Sequence, residues 1–183
     1  SNTANDYTGN TTIYNGLYNN LSTSTVTSTT LRLGASNVIP DGASAGNVGF
    51  AVGTNSNNLP NATVIFDLGG FNETINGLTV NSGTFNTQIT NTVSGASLLT
   101  VGANNTTSNF GGTITEAGSG ATLALTKIGS GTLTLGGANT YTGTTDIAAG
   151  TLALTGTGTL GTGNVIVNGT LDMTGITPAT SYT

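Results

Sequence analysis

The chain has no cysteine, no histidine and no tryptophan among its 183 residues. Those absences exclude disulfides, thiol chemistry, imidazole catalysis and His or Cys metal ligation. Charge is nearly as scarce, at 5% of residues against about 25% in ordinary soluble domains. Arg32 and Lys127 are the only basic side chains, and the formal net charge is −5. A phosphate backbone needs a basic stripe, so nucleic acid is excluded as a partner. An anionic membrane surface is disfavoured for the same reason. No apolar run approaches the roughly 18 residues of a spanning helix, so this chain is not expected to insert into a membrane. Nor does a charged and apolar leader open the sequence; a signal peptide is expected to have been removed or to lie upstream.

What is present is glycine (29 residues), threonine, asparagine and short runs of β-branched or leucine residues. Gly or Asn interrupts nearly every window of ten, which leaves no room for a helix. Between these breaks the apolar residues alternate. Leu123/Leu125, Leu133/Leu135, Leu152/Leu154, Val165/Val167 and Leu171/Met173 are i, i+2 pairs, and Val64/Phe66/Leu68 is a triplet of the same kind. Residues two apart point to one side of a strand, so these sets predict inward faces, continued by Ile75, Leu78, Val80 and Phe85. Thr, Ala and Asp residues between them, Asp67 among them, are expected to face out. Gly and Asn are expected at corners, where positive φ costs them little.

The strands repeat. Thr132-Leu133, Thr151-Leu152 and Thr170-Leu171 each follow a glycine at intervals of 19 residues. One such unit cannot bury its own apolar side, whereas stacked units share a continuous core. The expected fold is all-β: a single right-handed parallel β-helix (β-solenoid) over residues 1–183 with roughly 19-residue coils. That period gives about nine or ten coils and a body on the order of 45 Å long. A longer repeat overlies it, because Asn5-Asp6-Tyr7-Thr8-Gly9, Ile13 and Gly16 match Asn139-Thr140-Tyr141-Thr142-Gly143, Ile147 and Gly150. The match breaks after Gly16 and resumes where Thr30-Leu31-Arg32-Leu33 takes the place of Thr151-Leu152-Ala153-Leu154. Residues 17–29 therefore read as a Ser/Thr-rich insertion.

The stretch from Lys127-Ile128-Gly129-Ser130-Gly131-Thr132-Leu133 through Ala138-Asn139-Thr140-Tyr141-Thr142-Gly143 to Ala149-Gly150-Thr151-Leu152 resembles the autotransporter-associated β-strand repeat. Leu31-Arg32-Leu33-Gly34, Gly70-Phe71-Asn72-Glu73-Thr74-Ile75 and Leu99-Thr100-Val101-Gly102 are similar to the same kind of protein. The resemblance implies a bacterial β-solenoid of the passenger type, secreted to the cell surface or the medium, whose role is structural or adhesive. It brings no catalytic residue with it. No translocating β-barrel segment is seen, so a whole autotransporter is not expected.

Sites are few. Asp67 and Glu73, with Asp146 and Asp172, are the candidate carboxylates for acid–base work on a glycosidic bond, but they form no cluster and are expected to be isolated, solvated residues. Lys127 and Arg32 are expected to be structural. Asp41, Asp67 and Asp172 make no calcium loop. No catalytic residue, cofactor or metal is therefore expected. A solenoid exposes strand edges and core at its ends, and the chain carries Tyr7, Tyr14 and Tyr18 near one end and Leu171, Met173 and Tyr182 near the other. The expected function is a non-enzymatic subunit of an extracellular or cell-surface fibre. Its partner is itself, in a head-to-tail homopolymer joined through Tyr7, Tyr14, Tyr18, Val26, Leu171, Met173 and Tyr182. The alternative is a passenger fragment of a bacterial surface adhesin that meets a surface polysaccharide or other cells; a polysaccharide-active enzyme is the more remote one.

Overall fold

The computed structural model describes residues 8–15, 28–52, 63–80 and 86–177. They hold sixteen strands and no helix. In chain order these are β1 (Thr11–Asn15), β2 (Ser28–Arg32), β3 (Val48–Val52), β4 (Thr63–Asp67), β5 (Glu73–Ile75) and β6 (Leu78–Val80). Then come β7 (Asn86–Thr90), β8 (Gly95–Val101), β9 (Ser108–Phe110), β10 (Thr113–Ile114) and β11 (Ala121–Lys127). The last are β12 (Thr132–Leu135), β13 (Thr145–Ile147), β14 (Thr151–Gly156), β15 (Val165–Val167) and β16 (Thr170–Ile176).

All pairings are parallel, and they make three sheets. The first runs β1-β3-β6-β9-β12-β14-β16, the second β2-β4-β7-β10 and the third β5-β8-β11-β13-β15. From β3 to β12 the chain visits first, second and third sheet in strict rotation. Parallel neighbours that recur in this way can only be successive turns of a coil, because a parallel pair needs a long crossover between its strands. The fold is thus a parallel β-helix, all-β as the alternation predicts.

The circuits shorten along the chain. In the first sheet the pairing step falls from 37 residues (11 to 48) and 30 residues (48 to 78) to 25 (108 to 133) and then 19 (132 to 151, 151 to 170). The repeat legible in the sequence is therefore the register of the final circuits, where Thr132, Thr151 and Thr170 stand in one column. The first sheet has seven rungs among the described residues, about 30 Å of stacking at 4.8 Å per strand. That is shorter than a uniform period implies, because the early circuits spend more residues on their corners. In the final circuits the second side carries no strand. Residues 136–144 cross it as a loop held by Thr140 N–H to the Ile114 carbonyl (3.0 Å), and the Tyr141 ring fills that side.

The inward sets pack as expected. Val64, Phe66, Leu68, Ile75, Leu78, Leu99, Leu123, Leu125, Leu133, Leu135 and Leu152 are buried in one continuous cluster. Each such side chain contributes about 1.5–3 kcal/mol on leaving water. Phe50 and Phe110 meet within it, ring centroids 5.4 Å apart. Phe85 lies outside the described residues.

The long sequence repeat does not become a structural equivalence. Ile13 stands in the first sheet while its counterpart Ile147 stands in the third; Leu31 stands in the second sheet while Leu152 stands in the first. The shared phrase is set one side further round the coil. Of the proposed insertion at 17–29, only Ser28 and Thr29 are described, and they open β2 rather than interrupt it.

Candidate functional site

Two features of the coil stand out chemically: polar side chains buried at its corners, and the uncovered carboxy-terminal rung.

The corners correct the expectation of solvated carboxylates. Asp67 is buried at the end of β4, where the chain leaves the strand and swings the carboxylate inward. Its Oδ1 accepts Gly69 N–H (2.9 Å) and Thr92 N–H (3.1 Å), and its Oδ2 accepts the Thr92 hydroxyl (2.6 Å). Arg32, directly opposite in register, adds its Nε at 3.4 Å while remaining half exposed. Glu73 is buried one corner later and accepts Ile39 N–H (2.8 Å) and Val38 N–H (3.0 Å). Burial and the nearby Asp41 push the Glu73 carboxyl up, against the pull of those backbone donors. Asp67 and Glu73 thus each fasten one circuit to another, and neither faces an open site. Asp146 is on β13 and the fully exposed Asp172 is on β16, where the Thr174 N–H and hydroxyl hold its carboxyl below the usual range. The four acids do not converge.

Three asparagines act in the same way. Asn76 accepts Gly42 N–H (2.8 Å) and donates to the carbonyls of Gly42, Ala45 and Gly46. Asn91 accepts Gly70 N–H (3.0 Å) and donates to the Gly95 and Thr122 carbonyls, tying together three circuits. Asn139 accepts Ile114 N–H (2.7 Å) and donates to the Thr159 carbonyl (2.6 Å). Corner asparagines were expected to adopt positive φ, which among the described ones only Asn37 and Asn105 do. A buried rivet and a solvated corner have the same one-letter code. The signal that separates them is position: each of these three follows closely on an inward-facing apolar residue.

Lys127 is the remaining buried charge. It ends β11, in register with Val101 below and Ile147 above, and burial pushes its ammonium down.

The carboxy-terminal rung is apolar and open. Val165 and Val167 continue the inward columns of Thr145 and Ile147, yet they are 42% and 48% exposed, with Ile166 at 48%. Leu171 is partly buried. Met173, expected inward beside it, is exposed, because the β14–β16 register slips between Ala153 and Thr155 and turns the strand. At the opposite end Ile13 is buried and Tyr14 projects outward. Tyr7, Tyr18, Val26 and Tyr182 lie outside the described residues, so the structure brings together only Leu171 and Met173 of the expected self-association set.

These corners are the setting for the comparison with known families. Residues 125–154 match the passenger-associated-transport-repeat family. No curated protein and no solved structure matches the chain. The passenger-associated repeat runs from the inward Leu125 of β11 to the inward Leu154 of β14, slightly more than one circuit of the coil. It contains Lys127, Asn139, Tyr141 and Thr145, all buried, with the Tyr141 hydroxyl 2.7 Å from the Thr145 hydroxyl. The resemblance noted over Lys127–Leu152 falls within this match.

Proposed function

We propose that the chain is a passenger segment of a bacterial surface adhesin: a β-solenoid rod carried to the cell surface or the medium, mechanical in role and without catalytic activity. The observation that carries this reading is the coincidence of the passenger-associated repeat with a complete, fully packed circuit of the coil. Absence of catalysis is supported by the commitment of Asp67 and Glu73 to backbone donors. A groove of about 340 Å³ beside Thr63, Asn86, Gln88 and Thr113 is lined by hydroxyls, amides and glycines without an acid or base. Its partners on this reading are a surface polysaccharide or other cells. The test is protease treatment of intact producing cells. The chain is expected to be digested while cytoplasmic markers survive, or to be recovered from the medium; retention of an intact chain with the cytoplasmic markers would refute surface display.

A second reading, the head-to-tail fibre, is favoured by the exposed edge of Val165, Ile166, Val167 and Met173. Against it, the ends differ among the described residues: β1 and β2 of the first and second sheets lie at one, β16 and β15 of the first and third at the other. Only the first sheet could run on across such a joint. Negative-stain microscopy separates the readings, since long thin fibres establish the polymer and dispersed short rods remove it.

A further inference from the structure

Lys127 is 1% exposed, in a column whose register neighbours Val101 and Ile147 are apolar. Among the described residues its ammonium meets no carboxylate: the salt bridge there is Arg32 to Asp67. A buried ammonium without a counter-ion loses several kcal/mol of hydration that other dipoles must replace. Backbone carbonyls replace it here. Nζ donates to the carbonyl oxygens of Ile128 (2.5 Å), Gly129 (2.9 Å) and Ala149 (3.5 Å). Three acceptors match the three protons of the group.

The walls are equally specific. Gly102 and Gly150, both at positive φ, lie on either side, and a Cβ at either would stand 3.3 Å and 3.0 Å from Nζ. Turns of three successive circuits thus enclose one small chamber lined by carbonyl oxygen and closed by glycine. Such a lining recognises a monovalent cation stripped of water, as carbonyl rings do in ion filters. It offers no anionic ligand to favour a divalent one.

We propose that this corner is a carbonyl-lined binding site for an ammonium-type monovalent cation, and that Lys127 is the tethered cation that fills it. Lysine is then a built-in ligand that fastens its own turn, with the Ala149 carbonyl linking it to the next circuit. The inference stands apart from surface display, since it concerns only the chemistry of the corner.

The prediction is that Lys127→Ala leaves the chamber empty, lowers the thermal midpoint, and opens the site to free cations. Methylammonium or ammonium chloride should then recover at least half of the lost midpoint. Tetramethylammonium chloride at equal ionic strength, too large for the chamber, should recover none of it, and the wild-type chain should respond to all three salts alike. Lys127→Met, which fills the space without a charge, should also be less stable than wild type and should not be rescued. Folding of Lys127→Ala only in the small ammonium salts would support the site. Equal rescue by methylammonium and tetramethylammonium would overturn it. So would a Lys127→Met midpoint equal to wild type, since the carbonyls would then need no cation, or a Lys127→Ala chain that methylammonium does not stabilise at all.

Discussion

Gly102→Ala is expected to lower the stability of the chain by about 3–5 kcal/mol, enough to unfold most of a marginally stable domain. Two causes add. The backbone at this position has φ 117°, outside the regions open to a residue with a Cβ. The new methyl would also stand 2.0 Å from the Ile128 carbonyl oxygen of the next circuit. Neither side can give way. Gly102 N–H donates to the Ile75 carbonyl (3.0 Å), and Ile128 N–H to the Val101 carbonyl (2.9 Å), so both turns are tied into the ladder. Relief would require the circuits to separate, exposing the columns of Ile75, Val101 and Ile147. Gly111 is the control, because a Cβ there meets nothing within 4 Å; Gly111→Ala should change stability by less than about 0.5 kcal/mol. Urea unfolding of the two variants checks the pair. Similar midpoints would show that the circuits do not approach as closely as described.

Glu73→Ala should cost about 2–4 kcal/mol, because it strands the Val38 and Ile39 N–H groups, each unsatisfied buried donor costing about 1–3 kcal/mol. The segment they belong to replaces a strand against β5, with no strand between β2 and β3, so Glu73 and Asn76 do there what a ladder does elsewhere. The pH dependence follows from the raised carboxyl. In the window between the ordinary glutamate value and the raised folded one, the folded chain holds more protons than the unfolded chain. Stability therefore falls as pH rises through that window, and the contribution is fully present only below the unfolded value. Urea midpoints of the wild type should decline relative to those of Glu73→Gln as pH is raised from about 4 upward. A parallel pair of curves would contradict the assignment of the shift to Glu73.

The fold was legible because the strands alternate with period 2 and the late circuits repeat at one length. Leu133, Leu152 and Leu135, Leu154 need no tertiary information to be placed inward. The early circuits were not legible, since steps of 37 and 30 residues leave no fixed period and their extra residues are corners without alternation. The same limit hid the corner chemistry. Asp67 follows an inward Phe66, so alternation sends it outward; it turns in because the strand stops at that residue and Gly69 and Thr92 supply donors. Glu73, Asn76, Asn91 and Asn139 are recognised only once the neighbouring circuit is in place, because their partners lie 20 to 35 residues away. The open rung is a case of the converse: Val165 and Val167 have the right pattern for burial but no circuit over them among the described residues.

The stacking of circuits is the claim on which the remainder depends, and the absence of native cysteine allows it to be tested cleanly. Thr134 and Ala153 are register partners on β12 and β14, while Asp172 stands opposite Ala153 on the following rung. Neighbouring parallel strands lie about 4.8 Å apart, within the range of about 4.4–6.8 Å that a disulfide spans between Cα atoms. Two rungs are about twice that distance. Under mild oxidation, a Thr134→Cys, Ala153→Cys chain is expected to form an internal disulfide nearly completely without loss of stability, and a Thr134→Cys, Asp172→Cys chain to stay reduced. Ready closure of the second pair, or failure of the first in a folded chain, would contradict the coil.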